Sequence, residues 1–203
     1  MRKIVKNIIT ENPILATGLG VCPIIFAGIS LRLGLFTSVL FLACAVASAI
    51  ACNLLGKDLP RFLRVAIMFA ANGIVLIILR QISVHILPDL TDALGVFLIL
   101  ISVNWLILSM ATVAHQQSLK ESIFLGLKVG GLFAFVIMIV AVIRQFIATG
   151  SVLNIDIFNQ HGVYIPAATL PFAGFLTLGI IAAIANYISR KFKTEDDEEA
   201  YDD

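Results

Sequence analysis

Apolar stretches of about twenty residues, parted by short clusters of charge, proline and turn residues, run through most of the chain. Runs of this length do not alternate as half-buried strands do, and they are too apolar for the one-sided stripe of a surface helix. They suit helices that are apolar all round, and about 20 such residues cross a bilayer. The pattern predicts six helices, near 13–31, 33–55, 63–86, 93–114, 123–147 and 164–188. The connections are LRLG, GKDLPRFLR, HILPDLTD, HQQSLKES and the longer ATGSVLNIDIFNQHGVYIP. The first is so short that helices one and two must form a tight hairpin.

Composition turns this pattern into a class. Of the 203 residues 60% are hydrophobic and 13% charged, against about 25% charged in soluble domains. Mean hydropathy is +1.02. The fold class is therefore all-α integral membrane. No cleavable signal is evident, and residues 1–10 read as an interfacial amphipathic segment.

Charge adds direction. The formal net charge is +1, but TEDDEEAYDD at 194–203 holds seven of the thirteen acidic residues, leaving fourteen basic and six acidic side chains (+8) in 1–193. The acidic stretch is expected to be a disordered, solvated cytoplasmic tail, or else a docking tail for a basic partner. With the N-terminus in the cytoplasm, eleven basic residues fall inside and only Arg32, Arg80 and Arg144 outside. The positive-inside rule thus predicts cytoplasmic N- and C-termini. Lys128, Arg80 and Arg144 lie a turn or more within their helices and are expected to snorkel to the interface.

Six helices divide into two halves of three, about 1–90 and 91–193, and an odd number inserts the second half upside-down. Inverted repeats place their site near mid-membrane, on interrupted helices. TGLGVCP breaks the first helix with Gly18, Gly20 and Pro23 around Cys22, and SVNW puts Asn104 and Trp105 at the equivalent depth of the fourth. Proline removes a backbone donor, and irregular backbone at depth must be buried in protein or line a cavity. A kinked, closely packed helix would use the same small residues. Cys44 and Cys52 lie eight residues apart on helix two, and His85, His115 and His161 lie near helix ends or in loops. No disulfide framework is suggested.

The order NP…LG-x-CP in helix one, LG-x-F-x-x-x-I-x-x-N-x-x-I-L in helix four, and GLKVGGLFAFVIMIVAVIRQFIATGSVL in helix five resembles the paired membrane subunits of the Rnf and Nqr complexes, RnfA/RnfE and NqrD/NqrE. PAATLPFAGFLTLGIIAAIAN and the cytoplasmic N-terminus are similar to the RnfE/NqrD branch. The resemblance implies six helices in two inverted halves, the first helix of each half broken at mid-membrane. It implies a partner, an RnfA/NqrE-like paralogue of opposite topology, with flavin-carrying subunits nearby. It also implies a [2Fe–2S] cluster between the two paralogues, fed by one cysteine from each half, that relays electrons across the membrane while Na⁺ or H⁺ moves.

Carried onto this chain, Cys22 matches the first ligand, but the second position is Trp105. An indole N–H donates and cannot ligate iron as a thiolate does. SMATVAHQQ also replaces the family's GRAEAFA-like continuation. The iron–sulfur site is therefore expected to be incomplete or lost. ATGS at 148–151 lacks the flavin-attachment motif, and no phosphate-cradling loop or Cys-x-x-Cys appears. The expected function is that of a subunit of a redox-driven translocase of the inner membrane, without a complete active site of its own. Its partners are the bilayer and the other subunits, with no nucleic acid. The alternative is a small-molecule or ion transporter, or a substrate-binding component, on the same inverted scaffold, with Asn72, Asn104 and Asn186 as its polar candidates.

Overall fold

The computed structural model describes residues 20–55, 59–110, 114, 118–152, 155–156 and 165–199. The elements are α1 (Val21–Ala27), α2 (Leu31–Leu55), α3 (Arg61–Ile86), α4 (Pro88–Leu94), α5 (Phe97–Ser102), α6 (Trp105–Ser109), α7 (Leu119–Thr149), β1 (Ser151–Val152), β2 (Ile155–Asp156) and α8 (Pro171–Glu199), the last preceded by a 3-10 turn at Pro166–Thr169.

Among the described residues four helices are long and apolar enough to cross a membrane, or five if the bent pair Pro88–Leu94 and Phe97–Ser109, angled by 74°, counts as one broken span. Six were expected. The first expected span begins at 13, and its residues before Gly20 lie outside the described residues. The seven residues of α1 cover only about 10 Å at 1.5 Å per residue.

Boundaries follow local chemistry. The hairpin between helices one and two turns at 28–30, three residues before LRLG, because α2 already begins at Leu31. Helix α7 starts at Leu119, four residues before expectation, on a capping box. Ser118 Oγ accepts from Glu121 N (3.4 Å), and Glu121 Oε2 accepts from Ser118 N (2.8 Å), an arrangement worth about 0.5–2 kcal/mol. HILPDLTD, read as a loop, contains helix α4, with Pro88 in its first turn and Gly95 (φ 48) ending it. The 148–166 connection holds a two-residue antiparallel ladder, Ser151 opposite Asp156 and Val152 opposite Ile155. The last helix continues to Glu199, into the first residues of the acidic stretch, where glutamate is a good helix former. Residues 200–203 lie outside the described residues.

The core is the pair α2–α7. Along α7, Gly126 meets Val46, Gly130 meets Leu42 and Ala141 meets Gly34, so the pairing runs in opposite senses and the helices are antiparallel. Phe41 and Phe133 stack between them, with centroids 3.8 Å apart and planes inclined by 7°. A Cβ on Gly126 would sit 2.8 Å from Val46 Cα, and one on Gly130 would sit 3.0 Å from Leu42 Cα. This is the small-xxx-small device that lets membrane helices approach at backbone distance.

Candidate functional site

The positions at which breaks were expected in helices one and four meet, at Gly20 and Asn104. Gly20 is left-handed (φ 78) and precedes α1. Asn104 is extended (φ −73, ψ 126) and precedes α6, where its Oδ1 accepts from Leu106 N at 2.9 Å. A Cβ on Gly20 would lie 2.9 Å from that same Oδ1. Glycine is required there twice over, for its φ and for the close approach. Phe26 of α1 stacks on Phe97 of α5 with centroids 3.6 Å apart. Going from Gly20 to Phe26 thus corresponds to going from Asn104 back to Phe97, so α1 and the α5–α6 segment also run antiparallel.

Cys22 and Trp105 flank this contact, two residues after Gly20 and one after Asn104. Both side chains are exposed, Trp105 by 57%. The tryptophan is thus turned outward and does not fill the chain's interior. Cys44 and Cys52 are wholly buried in the core, whereas Cys22 is exposed. Among the described residues no three His, Cys, Asp or Glu side chains group as metal ligands. His85 is exposed on α3; His115 and His161 lie outside the described residues.

A broken helix leaves carbonyl and amide groups without partners, and side chains from the neighbouring helices meet them. At the second break, Asn72 Nδ2 of α3 donates to Ser102 O (3.3 Å), and Asn72 Oδ1 accepts from Ser48 Oγ of α2. Asn72 is fully buried. Asn53 Nδ2 (3.2 Å) and Ser122 Oγ (3.0 Å) both donate to Ala114 O. Stripping Ser102 of its donor exposes a buried carbonyl, at about 1–3 kcal/mol. Asn72→Leu is accordingly expected to lower the melting temperature of the purified chain clearly, and Ser48→Ala to lower it less.

At the other end of α1, away from Gly20, the partner is Arg144, which corrects the expectation of snorkelling. Arg144 is 1% exposed. Its Nε donates to Ala168 O (3.0 Å), its Nη1 to Ile25 O, and its Nη2 to Thr169 O and Leu170 O (3.0 Å each). Ile25 O is one of the last carbonyls of α1, where a helix favours positive charge; the other three belong to the turn entering α8. The guanidinium, with its fixed fork of donors, therefore fastens α1 and α8 to α7. Next to it, Gln145 Oε1 accepts from Leu31 N (2.7 Å) and caps the start of α2. Gly174 leaves room for the fork, since a Cβ there would be 3.0 Å from Nη1. By contrast, Arg80 and Lys128 are exposed, as snorkelling side chains should be.

Sequence reading marked Asn72, Asn104, Gly20 and Cys22, but Ser48, Ser102 and Gln145 passed as ordinary helix residues. Nothing local marks them, because each acts on an element distant in the chain.

The chain matches the family described as "Rnf-Nqr subunit, membrane protein" over residues 1–182. It is 27% identical over 192 residues to the E subunit of the Na⁺-translocating ferredoxin:NAD⁺ oxidoreductase complex of Acetobacterium woodii, covering 94% of this chain and 98% of that protein. It is 27% identical over 188 residues to the E subunit of the ion-translocating oxidoreductase complex of Methanosarcina acetivorans, covering 90% and 88%. With the D subunit of the Na⁺-translocating NADH-quinone reductase of Aeromonas hydrophila it shares 24% over 188 residues, covering 89% and 90%.

Proposed function

The chain belongs to the Rnf-Nqr family of membrane subunits, and from that premise we propose that it is the E- or D-type member of a multi-subunit ion-translocating oxidoreductase. It takes part in transmembrane electron transfer coupled to Na⁺ or H⁺ movement. The observation that carries this is the extent of the match, which takes in nearly the whole chain and nearly the whole of relatives named as E and D subunits.

The finer reading has six spans in two inverted halves, 1–90 and 91–193, in the cytoplasmic membrane with both termini inside. Two antiparallel pairings support it: α1 with α5–α6, and α2 with α7, each linking like-numbered helices of the two halves. The proposed neighbours are an RnfA/NqrE-like paralogue of opposite topology, bearing on the junction where Cys22 is exposed, and flavin-carrying subunits.

The family's [2Fe–2S] site is incomplete or lost in this reading. A cluster between two subunits needs two thiolates from each, and this junction offers Cys22 and an indole. The donor set does not fit, and no electron-transfer step is drawn through it. Of the three amides that a transporter reading would use, Asn72 and Asn104 are committed to the broken backbone, and Asn186 is exposed on α8.

The test is anaerobic purification of the complex through a tag on this chain. Co-purification of paralogous and flavin-carrying subunits is expected, as is loss of ion-coupled electron transfer when the chain is deleted. A chain that purifies alone, with coupled transfer intact in its absence, sinks the assignment. Iron at the junction is tested separately: Cys22→Ala is expected to leave the iron content and EPR spectrum of the complex unchanged. Loss of about two iron atoms, the content of one [2Fe–2S] centre, would show that the cluster survives.

A further inference from the structure

Helix α3 turns a stripe of large apolar side chains outward, with Ile74, Ile77, Ile78 and Ile82 each at least half exposed. Their spacing of three and four residues marks one lipid-facing side. Arg80 is exposed beside this stripe, next to Ile77. It lies six residues before the end of α3 at Ile86, about 9 Å along the axis, which is a phosphate-interface depth for a long side chain.

Beside it the chain forms a notch. Where the α4–α5 segment turns at Gly95, a cavity of about 400 Å³ opens between Leu76, Ile77 and Arg80 of α3 and Gly95, Leu98 and Ile99 opposite. That volume lies within the range of about 300–1,000 Å³ typical of small-molecule sites. Its walls are apolar except for Arg80. Val96 at its rim is 77% exposed, and Ile77 and Ile99 are 70% and 60% exposed, so the notch opens outward, towards the acyl chains. Asp89 and Asp92 are the nearest acidic residues along the chain. Among the described residues, however, no ion pair or hydrogen bond engages the Arg80 guanidinium.

We propose that this notch is a binding site for an anionic glycerophospholipid, with an acyl chain against Ile77, Val96 and Ile99 and the headgroup phosphate on Arg80. The pairing follows from chemistry. A guanidinium on an apolar membrane face lacks an anion, and its planar fork matches phosphate oxygens bidentately. The bilayer supplies a ligand that carries both the phosphate and the apolar body. The notch differs from a lone surface arginine because its apolar walls are fixed by the bend at Gly95.

The experiment is native mass spectrometry of the detergent-purified complex, exchanged against phosphatidylglycerol or phosphatidylcholine. Selective retention of phosphatidylglycerol is expected. Arg80→Gln should weaken it about tenfold or more, since a hydrogen bond to a charged group is at stake. Ile99→Trp, which fills the notch and keeps Arg80, should weaken it comparably, while Arg32→Gln should leave it unchanged. Retention unaffected by both Arg80→Gln and Ile99→Trp overturns the proposal. So does equal retention of phosphatidylcholine, or a crosslink from position 96 that captures a neighbouring protein and excludes lipid. If Arg80→Gln fails to assemble, the Ile99→Trp arm decides alone.

Discussion

Arg144→Met is expected to unfasten the first broken helix. Methionine keeps much of the side chain's length and apolar body but donates nothing. The carbonyls of Ile25 and Ala168 then face a buried space without this donor, and those of Thr169 and Leu170, at a half-buried site, lose it as well. Each stripped carbonyl costs about 1–3 kcal/mol, less than additively because the site relaxes. A combined loss of at least about 3 kcal/mol is expected. It should appear in two ways: a lower melting temperature of the full-length chain in detergent, and faster local opening of α1. The second readout uses Ile25→Cys in a Cys22→Ala background. Ile25 is buried, so a maleimide should label that thiol slowly with Arg144 present and many times faster once Arg144→Met is added. Arg144→Lys should fall between, because an ammonium keeps the charge but not the fork. Equal labelling rates in all three would show that α1 does not depend on this side chain.

Gly126→Ala is expected to damage the α2–α7 pair out of proportion to the single methyl it adds. The new Cβ would lie 2.8 Å from Val46 Cα, 3.0 Å from Ala45 O and 3.1 Å from Val46 N, all backbone atoms that cannot rotate away. The helices must separate, and overpacking of this kind costs about 1–3 kcal/mol. Gly126→Leu should prevent recovery of a monodisperse chain. Gly130→Ala is expected to be somewhat milder, because its closest clash at 2.7 Å is with Leu42 Cδ1, the end of a flexible side chain. Gly131 is the internal control, since a Cβ there meets nothing within 4 Å. Gly131→Ala should gain about 0.8–1 kcal/mol from helix propensity. Thermal melting of the three alanine variants settles the order, and a Gly126→Ala melt no lower than that of Gly131→Ala refutes the close-packing account.

The apolar spans among the described residues, the interruption at Asn104 and the burial of Asn72 and Asn104 were legible because each is written locally. Hydrophobic run length marks a membrane helix, glycine and proline mark a break, and an amide inside an apolar run must find a partner. The role of Arg144 was not legible. An arginine five residues from a helix end reads as snorkelling, and only the fold brings Ile25, 119 positions away, to its guanidinium. Gly126 and Gly130 likewise looked like ordinary small residues until α2 was seen lying against them. Helix α4 was missed because PDLTD has turn-forming composition, although the same proline and aspartate suit a helix's first turn. At the candidate site, the two-halves reading pointed to the segments around Gly20 and Asn104, but not to the contact between them. The outward direction of Trp105 did not, since sequence alone does not say which way a side chain points from a break.

The Asn104 cap divides labour between neighbouring positions. The amide sets the course of the backbone by holding Leu106 N and seating Gly20, whereas residue 105 contributes only what its outward side chain carries. The scaffold is therefore indifferent to what occupies position 105. Trp105→Cys should accordingly alter the chemistry presented to a neighbour and leave the architecture intact.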